Sequence, residues 1–282
     1  MGAKGLINGF LIFGYIFYDR LCKSPLGNKT WSLAIFVFLL IVAISWGLLE
    51  VFSGRAAFLH VGAIIGSMMV GNVFFIIIPN QKLVVASLKV GEAPDPALGL
   101  QAKQRSTHNN YLTLPVLLMM ISNHYPVLFG QAHSWVIIAL ILLVGGVVRH
   151  YFNTIHAGGT GQFVLWQWPL ATTLMVILIL VASYKQDIKK SDNLISARDA
   201  LFIVQTHCVA CHASKPMNND FDNAPGGVML ETIDAIRKNG SRILNQVVLS
   251  KAMPLANKTR MTEMQRQQLG AWIRAGMPFD NE

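Results

Sequence analysis

Charge is scarce in this chain. Asp, Glu, Lys and Arg make up 13% of its 282 residues, against 53% hydrophobic residues and a mean hydropathy of +0.45. Soluble globular domains carry about a quarter of their residues charged, so this balance excludes an ordinary soluble protein. Acidic residues are the scarcer kind: 14 Asp and Glu against 23 Lys and Arg leave a net charge of +9. Lys and Arg nowhere form a stripe interleaved with aromatics, so no nucleic acid is expected as a partner. There is no internal repeat and no low-complexity segment. No cleavable signal peptide is expected, because residues 5–21 have neither a basic leader nor a small-residue cleavage site. That stretch reads as an anchor.

Cysteine is rare, at three residues, and two of the three stand in Cys208-Val209-Ala210-Cys211-His212. C-x-x-C-H is the attachment signature of a c-type haem. The two thiols add across the haem vinyl groups as thioethers, and the histidine becomes the proximal iron ligand. Half of a zinc site would need two more Cys or His at ligand spacing, and a redox pair would need no histidine. The remaining Cys22 lies far upstream. A class I cytochrome c completes the iron with a methionine sulfur from a later loop. Met217, Met229, Met253, Met261, Met264 and Met277 are the candidates. Met253 is preferred, because Pro254 forbids a helix there and holds an extended loop. It also stands just ahead of a helix signalled by Thr262 and Gln265 as a capping box and stopped at Gly276. Met229 and Met217 are the alternatives.

Six apolar segments precede the motif, at residues 5–21, 31–52, 58–78, 111–121, 134–148 and 163–182. A spanning helix needs ~20 residues, and the first, fourth and fifth are short. The fourth extends back to Asp95-Pro96, an N-cap followed by proline at the first helical position, with Pro115 inside it. The expected fold is therefore all-α. A polytopic membrane helix bundle of about six spans (1–184) leads through a polar tether (185–195) to a small cytochrome c domain (196–282). Arg20, Lys23, Lys29, Lys82, Lys89, Lys103, Arg105 and Arg149 fall in loops on one side, and only Lys4 and Arg55 on the other. The positive-inside rule places the first set in the cytoplasm. The haem domain is then expected on the periplasmic face of a bacterial inner membrane, where c-type haem is attached.

Ionisable groups inside spans are expensive and point to function. Arg55, His60 and Asn72 belong to the third span, and Arg105, His108, Asn109 and Asn110 to the fourth. The bland alternative is that several of these snorkel at the interfaces. Gly62 and Gly66 form a GxxxG, read as helix packing.

Several stretches together resemble the integral-membrane urate oxidase family, whose members fuse a membrane domain to a cytochrome c. They are Tyr18-Asp19-Arg20-Leu21-Cys22-Lys23, Ser53-Gly54-Arg55, Leu59-His60-Val61-Gly62, Gly71-Asn72-Val73-Phe74-Phe75, Pro79-Asn80-Gln81, Lys103-Gln104-Arg105-Ser106, His108-Asn109-Asn110-Tyr111 and Asn123-His124-Tyr125-Pro126. The resemblance implies oxidation of urate, a step of purine catabolism, to 5-hydroxyisourate. Electrons would leave through haem c to a downstream cytochrome or terminal oxidase. His60, His108 and Asn109 are carried over as expected catalytic residues, a histidine near the ring being a sensible base. Arg55, Asn72 and Asn110 are the expected substrate-binding residues. Cys208 and Cys211 would hold the haem, with His212 and Met253 as axial iron ligands. Urate gives up two electrons and one haem takes one at a time. Either the haem is emptied twice, or the membrane part holds a further redox centre. Family members carry spans ahead of Gly5. This chain alone is therefore expected to oxidise urate poorly or not at all, with a second polypeptide carrying the upstream helices, or an upstream extension of the reading frame, restoring activity. The rival readings are an anchored cytochrome c that only carries electrons, and a transporter with a haem appendage.

Overall fold

The computed structural model describes residues 3–130, 133–183, 194–218 and 221–279. Its elements are helical throughout, with no strand among the described residues. The chain divides into two compact units. The first is Met1–Phe52, Ala56–Tyr125 and His133–Ser183; the second is Ser53–Arg55, Pro126–Ala132 and Tyr184–Glu282. Most of the expected tether, 185–193, lies outside the described residues.

Long helices occupy the apolar segments of the first unit. They are α1 (Ala3–Lys23), α2 (Thr30–Val51), α3 (Gly54–Lys89), α4 (Pro96–Ile121), α5 (Ser134–His156) and α6 (Gln167–Ser183). Among the described residues α2, α3 and α5 are long and apolar enough to cross a membrane. The exposed residues of α2 include Trp31, Ile35, Leu39 and Trp46, an apolar surface of the kind that a membrane or another protein covers.

The third segment differs from expectation. Its helix does not stop at Pro79 but runs 36 residues to Lys89, about 54 Å at 1.5 Å per residue. A π-helical stretch, Asn72–Ile77, precedes the proline, and Ile78 N–H bonds the Val73 carbonyl five residues back. Proline lacks an N–H and its ring crowds the carbonyl one turn earlier. Widening that turn lets the helix pass.

The fourth segment starts as its caps dictate. The Asp95 carboxylate accepts from Ala97 N at 2.8 Å, Pro96 opens the helix, and Pro115 is carried inside it. Neighbouring helices meet closely at glycines. A Cβ on Gly145 would come within 2.8 Å of the Pro115 ring, and one on Gly62 within 3.3 Å of the Met119 side chain. Gly66, the other half of the GxxxG, faces open space. Of the GxxxG pair, Gly62 is therefore the packing glycine.

In the second unit, α7 (Ala197–His207) starts at a Ser196–Asp199 capping box. Two short helices follow, α8 (Ile233–Lys238) and α9 (Gly240–Ile243), the latter continuing into a π turn, Leu244–Leu249. The last helix, α10 (Glu263–Arg274), has the expected Thr262–Gln265 box, and Gly276 takes φ +87° just beyond it. Val204, Ile236, Leu269 and Trp272 are completely buried at the centre of one apolar core. Cys208 belongs to that core, and Met253 packs against its edge.

Candidate functional site

Three helices of the first unit converge on a buried polar network. Asn72 sits where α3 widens into its π turn, fully buried. Its Nδ2 donates to the Tyr18 hydroxyl at 3.1 Å and to Asn109 Oδ1 at 2.8 Å, and its Oδ1 faces Arg105 Nη1 at 3.4 Å. Asn109 Nδ2 donates to the Met69 carbonyl at 2.9 Å. Tyr18 Oη lies 2.7 Å from His108 Nδ1. Arg105, 2% exposed, donates to Asp19 Oδ1 at 2.8 Å and lies 5.0 Å above the Tyr18 ring. The other Asp19 oxygen meets Lys23 at 2.7 Å. A buried guanidinium is tolerable only with its charge paired and its donors occupied, and both conditions hold here.

Of the residues expected in the substrate site, this network joins Asn72, His108 and Asn109. Asn110 belongs to a neighbouring set. Its Oδ1 accepts from Asn153 at 3.0 Å and its carbonyl from Arg149 Nε at 3.1 Å. One residue on, the Tyr111 hydroxyl lies 2.8 Å from His150 Nδ1, with the rings of Trp31 and Trp166 each 6.1 Å from that imidazole. His60 stands apart, twelve residues and about 18 Å from Asn72 along one helix. Its Nδ1 bonds the Ala56 carbonyl and its ring stacks on Phe52 at 5.0 Å. Arg55 is exposed at the start of α3 and is grouped with the second unit, outside the network. Tyr18, Asp19 and Arg105 are central to the network and were missed as site residues. The signal was there in Tyr18-Asp19, a polar pair inside an apolar run.

In the second unit the C-x-x-C-H residues form a helical turn continuing from α7. Cys211 N and His212 N both bond the Cys208 carbonyl, at 3.2 and 2.9 Å. Neither thiol is in a disulfide. Burial pushes the Cys208 thiol up to about 12. Among the described residues no group of three or more His, Cys, Asp or Glu is placed to hold a metal ion, as a zinc site would need. His212 Nδ1 donates to the Val228 carbonyl at 2.9 Å, which leaves the Nε2 lone pair free for a metal.

Position also separates the candidate methionines. Met217, Met229 and Met264 are exposed, Met261 is buried in the core, and Met277 packs against Gly240. Met253 lies in a loop held at its main chain. Its N–H bonds the Gln246 carbonyl at 2.9 Å, and its carbonyl accepts from Arg266 Nη1 at 2.6 Å. Arg266 is buried and also holds the Val247 carbonyl, at 2.5 Å, and Asn257 Oδ1, at 3.4 Å.

These features define an all-helical protein with membrane-length apolar helices and a buried Arg–Asp–Asn–Tyr–His network. The chain belongs to the urate oxidase N-terminal family, whose model matches residues 1–183. Helices α1 to α6 and the whole network lie inside the match, and the C-x-x-C-H turn lies beyond it. No curated protein and no solved structure matches the chain.

Proposed function

We propose that this protein is a membrane-bound oxidoreductase that oxidises urate to 5-hydroxyisourate and passes the electrons to a covalently bound haem c. The observation that carries the proposal is the family membership of residues 1–183, the part that contains the buried polar network. The overall change balances as urate plus water giving 5-hydroxyisourate, two electrons and two protons. Urate is a planar monoanion near neutral pH with carbonyl acceptors and ring N–H donors. Side chains of Asn and His supply the reciprocal edge.

The residues of the second unit fit haem c. Cys208 and Cys211, three apart on one helical turn, would form the thioethers. His212, its ring fixed by the Val228 carbonyl, would be the proximal ligand, and Met253 the distal one. Bound haem supplies a one-electron acceptor whose potential is raised by Met/His ligation. Arg266 keeps the Met253 loop closed through two carbonyls. The remaining partners in this reading are the bilayer around α2, α3 and α5 and a downstream cytochrome or terminal oxidase. The localisation is the bacterial inner membrane with the haem on its periplasmic side.

The test is anaerobic addition of urate to native membranes holding the oxidised protein. Reduction of this chain's haem supports the proposal. A haem that dithionite reduces and urate does not would make the protein an electron carrier or a transporter.

A further inference from the structure

The hydrogen bonds around Asn72 run in a fixed direction, and that direction sets the protonation of a histidine two partners away. Two members of the network have only one possible role. The Met69 carbonyl can only accept, so Asn109 turns its amide nitrogen toward it, at 2.9 Å. The Asn109 oxygen then points the other way, 2.8 Å from Asn72 Nδ2, which must donate. The Arg105 guanidinium can only donate, and it faces Asn72 Oδ1 at 3.4 Å. The two anchors assign Asn72 the same orientation from opposite ends, which resolves the usual ambiguity of an amide flip.

The second Asn72 N–H donates to Tyr18 Oη at 3.1 Å. The hydroxyl has one proton of its own; of the two groups beside it, the Cys22 thiol is a weak acceptor and His108 Nδ1, at 2.7 Å, the strong one. A ring protonated at Nδ1, neutral or cationic, would donate there instead and leave that proton only the weakly accepting sulfur. His108 Nδ1 therefore accepts, and a neutral imidazole that accepts at Nδ1 carries its proton on Nε2. His108 is half-buried.

We propose that His108 acts as a neutral Nε2–H donor to an oxygen of the urate anion, and that Tyr18 is the positioning residue that enforces this tautomer. The identity of the ligand rests on the urate reading; the tautomer does not. A donor of this kind stabilises negative charge on a substrate oxygen without being able to remove a proton at the same nitrogen. Base catalysis at this position, the natural expectation for a histidine beside urate, is thereby replaced by electrostatic binding.

The experiment uses the full-length chain, labelled with 15N-histidine and reconstituted in lipid. The His108 signals are assigned by their loss in His108→Gln. A protonated Nε2 with a bare Nδ1 is expected, and in Tyr18→Phe a mixture of tautomers. A bare Nε2, or a doubly protonated ring, in the unaltered protein overturns the proposal. An unchanged tautomer in Tyr18→Phe overturns the role of Tyr18. Urate-driven haem reduction in native membranes gives the second arm. His108→Gln keeps a donor there but cannot take up a proton, and is expected to slow the rate less than tenfold. His108→Ala should slow it more than a hundredfold. Equal losses in the two variants would refute the donor role. If the unaltered protein shows no response to urate, the urate reading fails while the tautomer measurement still decides the assignment of Tyr18 and His108.

Discussion

The Arg266 guanidinium donates to the Met253 carbonyl at 2.6 Å and to the Val247 carbonyl at 2.5 Å, closing the loop between them. Arg266→Ala leaves both carbonyls without this donor, at about 1–3 kcal/mol for each that stays buried. The full chain should then unfold at lower temperature. Haem should stay attached, but carbon monoxide should bind the reduced iron, because the loop no longer holds the methionine. Unaltered stability with no carbon monoxide binding would remove Arg266 from this role.

Met253→Ala addresses the proposed distal ligand itself. Haem should remain covalently bound, its reduction potential should fall, and the reduced iron should take up carbon monoxide. A spectrum and potential equal to those of the unaltered protein would move the distal ligand to Met229 or Met217. Cys208→Ala or Cys211→Ala should weaken or abolish covalent attachment, read as loss of haem signal on a denaturing gel.

The Arg105–Asp19 pair predicts a large stability effect in the first unit. Asp19→Ala leaves a guanidinium that is 2% exposed without its countercharge. The expected loss is about 3–5 kcal/mol, measured as a lowered thermal midpoint in detergent. Arg20→Ala, one position on and exposed, is the matched control and should fall within about 0.5 kcal/mol of the parent.

His207 gives a pH dependence with a definite sign. Burial lowers its pKa and the nearby Arg266 charge lowers it further, together outweighing the hydrogen bonding that would raise it. The folded ring therefore stays neutral at pH values where the unfolded one, with a pKa of about 6.5, is protonated. The unfolded state binds more protons in that window, so stability is lost as pH falls below about 6.5 toward the depressed folded value. His207→Gln should flatten this dependence. An equally steep dependence in the variant would show that another group causes it.

The helices of this chain were readable wherever one local signal set them. Asp95-Pro96, Thr262 with Gln265, and the proline after Met253 each act within one turn, and the structure uses them as read. The third span was misjudged because a proline stops a regular helix, while the π turn that lets it pass depends on tertiary packing around Asn72. The polar cluster was legible in composition but not in membership. His60 and Asn72 share a helix and sit far apart, whereas Tyr18, Asp19 and Arg105 meet Asn72 across helix interfaces that no spacing rule encodes. Val228 and Arg266 were invisible for the same reason, since a backbone carbonyl and a distant guanidinium leave no motif.

The most direct measurement is an anaerobic titration of native membranes containing oxidised protein with limiting urate, following this chain's haem and the product together. The account predicts two haem equivalents reduced for each urate consumed, with 5-hydroxyisourate formed and no reduction in membranes carrying Cys208→Ala. Urate consumed with this haem left oxidised, or a haem indifferent to urate, would contradict it.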